Sequence, residues 1–102
     1  MKPVVIHSAA RAELDEAMGF YEGRAPGLGL ALAGKVEEAT VKIAEAPEAW
    51  PRHGHSAFRK YFTNRFPFII FYMDLPDCVW IAAIAHASRR PDYWKSRRPL
   101  PR

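Results

Sequence analysis

The residues best suited to handling protons, phosphates and bases gather in the second half of this 102-residue sequence. His86 closes a long apolar run, and an imidazole exchanges protons near neutral pH. Arg59, Arg65, Arg89 and Arg90 carry guanidinium groups, which grip a phosphate through two parallel hydrogen bonds. Lys60 adds a point charge beside Arg59, and Tyr93 and Trp94 have the flat rings on which a nucleobase could stack. One reading is therefore an acid–base centre on His86 with Arg59 and Arg65 as anion clamps, and a binding surface of Lys60, Arg89, Arg90, Tyr93 and Trp94. The plainer reading makes His86 a partly buried residue ending a strand. It makes Tyr93 and Trp94 the packing of a C-terminal segment, and the basic residues a solvated surface.

A metal centre is a poor fit. His53 and His55 are two residues apart, with His7 and His86 elsewhere, but no cysteine or acidic companion stands at zinc-like spacing. They read as a loop pair, and neither a metal nor another cofactor is expected. Trp50, flanked by Pro47 and Pro51, reads as a plug over helix ends.

The net charge of +4 conceals a division. Residues 1–50 carry five Lys/Arg against eight Asp/Glu, whereas residues 51–102 carry ten against three, so the halves stand near −3 and +7. The basic half would attract a polyanion or an acidic protein segment. Cys78 is the single cysteine, which excludes an internal disulfide and suits a reducing compartment. The sequence shows neither a charged-then-apolar leader nor an apolar run of about 20 residues that could cross a bilayer. A cytoplasmic protein without a membrane span is expected, in one domain.

Several elements must position these groups. Pro3 to His7 is short, β-branched and apolar, and reads as a strand. Ser8 then offers a hydroxyl as N-cap for a helix of about four turns. Its apolar stripe is Ala10, Leu14, Ala17, Met18 and Tyr21, with Arg11, Glu13, Asp15, Glu16 and Glu22 mostly on the solvent side. Arg24-Ala25-Pro26-Gly27 breaks the pattern. A second helix follows, buried along Leu28, Leu32, Val36, Ala39 and Ile43 and stopped by Pro47. So short a connection implies an antiparallel hairpin of helices.

The stretches 58–62, 66–73 and 78–86 are rich in aromatic and branched residues and separated by turn residues. They read as three strands in an antiparallel meander. Pro67 belongs at a strand start or an edge, because it cannot donate to a ladder. By the period of two, only one of Arg59 and Lys60 shares a face with Tyr61, and it is Arg59.

The order strand, helix, helix, three strands, with a basic aromatic end, resembles the RelE/ParE superfamily of toxins over residues 3–94. The resemblance rests on VVIHSAARAELDEA, Phe20-Tyr21-Glu22, Pro26-Gly27-Leu28-Gly29 and the Pro47–Pro51 segment. It continues in Phe58-Arg59-Lys60-Tyr61-Phe62, Arg65-Phe66-Pro67-Phe68 and the end from Ala85 to Trp94. It implies an α+β fold: a single domain over 1–94 with an N-terminal strand, an antiparallel helical hairpin and a three-stranded antiparallel meander. The sheet would have four strands, antiparallel throughout, with a short C-terminal segment. A basic Pro/Arg tail, 95–102, is expected to be disordered.

The resemblance also implies the toxin of a type II toxin–antitoxin system, neutralised by an antitoxin protein that wraps it in a hetero-oligomer. Such toxins inhibit growth either by cleaving messenger RNA on the ribosome or, in the ParE branch, by poisoning DNA gyrase without being nucleases. The sheet face opposite the helices, with the C-terminal segment, would be the working surface. RNA cleavage by a 2′-hydroxyl needs a base, an acid and cations around the phosphate, and no metal. His86 would supply the acid or base, and Arg59, Arg65 and Arg89 or Arg90 the cations. The three strands hold one lysine, Lys60, and no glutamate, so a carboxylate base would come from Asp74, Asp77 or Asp92. Two alternatives remain open: a degenerate, non-toxic antitoxin-binding module or co-repressor, and a free-standing RNA-binding domain.

Overall fold

A computed structural model describes residues 1–99, and the element order is β1 (Val4–Ile6), α1 (Ser8–Arg24), α2 (Leu28–Glu45), β2 (Arg59–Phe62), β3 (Phe68–Asp74) and β4 (Val79–His86). The fold is α+β, with the expected helical hairpin and antiparallel meander. The four strands lie in the order β1-β4-β3-β2. One expectation needs correction. β1 runs parallel to β4, with Val4, Val5 and Ile6 opposite Val79, Trp80 and Ile81, so the sheet is mixed. Parallel neighbours need a long crossover rather than a tight turn, and the helical hairpin with the 46–58 loop supplies one.

α1 begins one residue earlier than its expected cap, Ser8, implies. His7 is the N-cap, its Nδ1 accepting from the Ala9 N–H at 3.0 Å, while Ser8 is already helical. The turn into α2 is held by Glu22, whose carboxylate accepts from the N–H groups of Gly27 and Gly29 at 3.0 Å each. These donors belong to the otherwise unsatisfied first turn of α2, and they hold the Glu22 carboxyl below its usual range. Gly27 adopts φ 86°, a left-handed conformation that favours glycine. At Gly29 a Cβ would lie 2.7 Å from the Met18 carbonyl oxygen, so the helices approach closely there.

The helices cover one sheet face with Leu14, Leu32, Val36, Ala39 and Ile43 against Tyr61, Phe68, Ile70, Tyr72, Val79, Ile81 and Ile84. Burying each large aliphatic side chain stabilises the fold by about 1.5–3 kcal/mol. Tyr72 keeps its polar end satisfied by donating from its hydroxyl to the Pro47 carbonyl at 2.6 Å. Trp50 packs edge-on to Tyr61, with ring centroids 4.7 Å apart.

β4 contains a bulge. Phe71 pairs with Ala83 but the next residue, Tyr72, pairs with Ile81, so Ala82 has no partner on β3. Val79 and Ile81 face the helices, and after the extra residue so does Ile84. Trp80, Ala82, Ala83 and Ala85 face the other way, packing with Phe58, Phe71 and Trp94. The bulge thus reverses which residues of β4 point to which side from Ala83 onward.

The chain does not end its ordered course at Trp94. Lys95 and Arg97 donate backbone hydrogen bonds to the carbonyls of Asp92 and Trp94, and the Arg97 side chain is tied into the body. The expected disordered tail is therefore corrected for residues 95–99; residues 100–102 lie outside those described.

Candidate functional site

The bulge decides the surroundings of His86. With unbroken alternation His86 would share the face of Trp80 and Ala82; with the extra residue it lies on the face of Ile84. Its ring meets Phe68 edge-on at 5.2 Å. Its Nδ1 accepts from the Ser88 backbone N–H at 3.0 Å and lies 2.7 Å from the Ser88 Oγ. A backbone N–H can only donate, so Nδ1 is the acceptor and the neutral ring carries its proton on Nε2. His86 lines the wall of a cleft of about 300 Å³ between α1 and the end of β4, together with Glu13, Glu16, Phe20, Ser88 and Arg89.

Arg59 is elsewhere. It does share a face with Tyr61, and that is the helix-covered face, where its guanidinium donates to the Trp50 carbonyl at 2.6 Å. Arg59 pairs with Tyr72, whereas His86 pairs with Phe68. Four residues of strand rise separate the two positions, about 13 Å, and two strand spacings add about 10 Å across the sheet. The expected constellation of His86, Arg59 and Arg65 is not assembled: core side chains fill the space between the first two. Arg65 is in the β2–β3 turn at φ 74°, with its guanidinium 5.2 Å from the Phe66 ring centroid. That turn lies at the same end of the sheet as His86, since the Ala87 N–H donates to the Pro67 carbonyl at 2.8 Å.

The other expected binding residues divide. Lys60 pairs with Phe71 and so lies on the face away from the helices. Arg89 and Arg90 are exposed. Trp94 is a correction to the stacking role: it is 1% exposed, with its ring stacked on Phe71 at 4.0 Å and edge-on to Phe58 at 4.8 Å. Buried by this packing, the indole presents no exposed face to a base. Residues 87–97 therefore cover part of the face that was expected to be the working surface.

Tyr93 is half-buried, with the guanidinium groups of Arg89 and Arg97 at 4.3 Å and 5.3 Å from its ring centroid. Its hydroxyl donates to the Glu13 carboxylate. Burial first, and then that hydrogen bond, push its pKa well above the usual value. Asp92 accepts from His53 Nε2 at 2.7 Å, and this bond holds its carboxyl below the usual range. His53 in turn rests edge-on against Phe71 at 5.2 Å, which clips the C-terminal segment to the loop before β2.

A search of protein-family models finds no match, and no curated protein matches either. Among solved structures, the chain superposes on a chain of the chromosomal ParDE TA system from P. aeruginosa with a TM-score of 0.77. The alignment covers 86% of this chain and 98% of that one, at 18% sequence identity. The fold is RelE/ParE-like. At that level of identity the likeness speaks for architecture, and the RelE/ParE-like fold leaves each side chain to be judged by its own surroundings.

Within the RelE/ParE-like fold of this chain, sequence reasoning missed Glu13 and Arg97. Glu13 was placed on the solvent side of α1, yet its carboxylate accepts from the Ile84 N–H at 3.0 Å and from both Arg97 terminal nitrogens at 3.1 and 3.2 Å. Arg97 also donates to the Ala82 carbonyl at 2.9 Å. Two signals were available. Glu13 lies three and four residues from Ala10 and Ala17, at the border of the apolar stripe. In β4 the large residues Val79, Ile81 and Ile84 break the two-residue period, the mark of a bulge whose backbone groups need partners. Among the described residues no cluster of His, Cys, Asp and Glu is arranged to hold a metal ion, and no helix is long and apolar enough to cross a membrane.

Proposed function

We propose that this chain is the toxin subunit of a type II toxin–antitoxin pair, held inactive by a cognate antitoxin, and that it acts by binding its target rather than by cutting RNA. The observation that carries the first part is the near-complete superposition on a chain of a ParDE TA system. The division of charge supports it, since an acidic partner segment would be drawn to the basic half. The second part rests on the separation of His86 from Arg59. Catalysis at a phosphate needs its proton carrier and its cations around one small volume, and here a packed core lies between them. DNA gyrase is then the favoured target, as the ParE branch of the resemblance implies, with a cytoplasmic site of action. Arg65, Lys60, Arg89 and Arg90, all at solvent-facing or half-exposed positions, would contact that target.

The test is controlled expression of the chain alone and together with a candidate antitoxin gene. Growth arrest that the second gene relieves is expected, with loss of gyrase supercoiling activity and unchanged translation in extracts. Arrest accompanied by ribosome-dependent messenger cleavage would replace the binding mechanism by a nuclease. No arrest in a strain without a related antitoxin would overturn the toxin reading altogether and favour a non-toxic antitoxin-binding module.

A further inference from the structure

The cleft beside His86 has walls of opposite charge over an apolar floor. Ala17, Tyr21, Phe68 and Ile84 form the floor, and the volume is about 300 Å³. On the α1 wall Glu13 is already saturated by Ile84, Tyr93 and Arg97, which leaves the exposed Glu16 as the acid facing outward. On the opposite wall are the exposed Arg89 and the Nε2–H of His86, whose other ring nitrogen is committed to Ser88. At the rim Phe20 is 56% exposed, so the apolar surface runs out of the cleft along α1. Phe20, with the Arg24 guanidinium 4.8 Å from its ring centroid, carries the apolar lining past the concave part of the site, so the lining is longer than the cleft itself.

We propose that this cleft docks a partner polypeptide through one large aromatic or aliphatic side chain, with a basic residue of the partner against Glu16 and an acidic residue against Arg89. The proposal rests on the reading that this chain works in contact with another protein, and it commits to a side chain flanked by opposite charges. The aromatic anchor fills the floor and covers Phe20. The flanking pair sets its orientation, because a partner with the same charge on both sides would place a like charge against one wall.

The probe is a blocked pentapeptide, alanine-lysine-phenylalanine-glutamate-alanine, titrated into the intact chain and followed by amide chemical shifts. Shifts confined to Ala17, Phe20, Ile84, Ser88 and Arg89 are expected. Replacing the peptide's phenylalanine by alanine should weaken binding by about tenfold or more, the usual effect of emptying an apolar pocket. Replacing its glutamate by lysine should weaken it about two- to fivefold, the range for an exposed charge pair. Ala17→Phe should abolish binding by filling the floor. Should that variant unfold, Arg89→Glu at an exposed position serves instead, and should reverse the preference toward a peptide with lysine on both sides. Equal binding of free phenylalanine would make the cleft a small-molecule site and overturn the proposal. So would shifts elsewhere, no preference between the peptides, or cleft-dependent self-association in sedimentation. No binding of the peptide by an unaltered chain that still arrests growth would overturn this docking site while leaving the toxin reading in place; peptide binding without growth arrest would do the reverse.

Discussion

Glu13 of α1 and Arg97 of the C-terminal segment, 84 positions apart, meet at the bulge of β4 and between them satisfy the N–H of Ile84 and the carbonyl of Ala82. β1 stops at Ile6, opposite Ile81, so beyond that point β4 has no neighbouring strand on this side. A carboxylate and a guanidinium stand in for the missing backbone. Both side chains are largely shielded, at 13% and 18% exposure, which makes leaving either alone costly.

Removing Glu13 should therefore do more than delete an ion pair. Glu13→Ala leaves the Ile84 N–H, the Tyr93 hydroxyl and a guanidinium short of an acceptor, and a loss of about 2–4 kcal/mol in urea unfolding is expected. Arg97→Ala should cost less, and the double variant should cost less than the two single losses added. Strict additivity in that cycle would show that the two side chains do not act through each other.

Trp94→Ala should lower stability by about 3–5 kcal/mol, since it empties a site closed by Phe58 and Phe71. It should also uncover the sheet face away from the helices, read as enhanced fluorescence of a bound apolar dye. Unchanged stability would mean that the indole is not the cover described.

Two tyrosines should titrate late. Burial pushes Tyr72 up to about 12, and Tyr93 rises further through burial and its bond to Glu13. Between pH 10 and 12 the unfolded chain loses these phenolic protons while the folded chain keeps them. Stability is then fully present below pH 10 and falls as pH rises through the folded values. Ultraviolet titration should show Tyr72 and Tyr93 ionising well above the ordinary tyrosine value, at or with unfolding. Ordinary titration of these two would contradict the burial of their hydroxyls.

Asp92 should respond to its partner. Its carboxyl is held down chiefly by the hydrogen bond from His53, so its contribution to stability is present above the ordinary value of 3.8 and is lost as pH falls through the lower folded value. In His53→Ala, carbon-detected titration should find Asp92 shifted back upward. No movement would assign the shift to Lys95, 3.7 Å away, instead.

Gly29→Ala should destabilise the hairpin by about 1–3 kcal/mol, because the new methyl group would press on the Met18 carbonyl at 2.7 Å and force the helices apart. Gly34→Ala, with open space around its Cα, is the control and should be neutral or slightly stabilising. Equal effects at both positions would point to helix propensity rather than close approach.

The sequence by itself determined the elements, because each is written in local pattern: period 3.6 in the two helices, short β-branched and aromatic runs in the strands, Pro26-Gly27 and Pro47 at the breaks. It also determined the antiparallel meander, since hairpin turns join neighbours in the chain, and the placing of Pro67 just before β3. Tertiary structure alone decided the parallel seat of β1 and the company of His86. One unpaired residue, Ala82, reverses the facing of everything after it, and a local pattern of small alanines does not say which of them is extra. The partners of Glu13 were equally out of reach. A backbone group at the end of a short strand must be satisfied by whatever the fold brings near, and here that is a side chain from the far end of the chain.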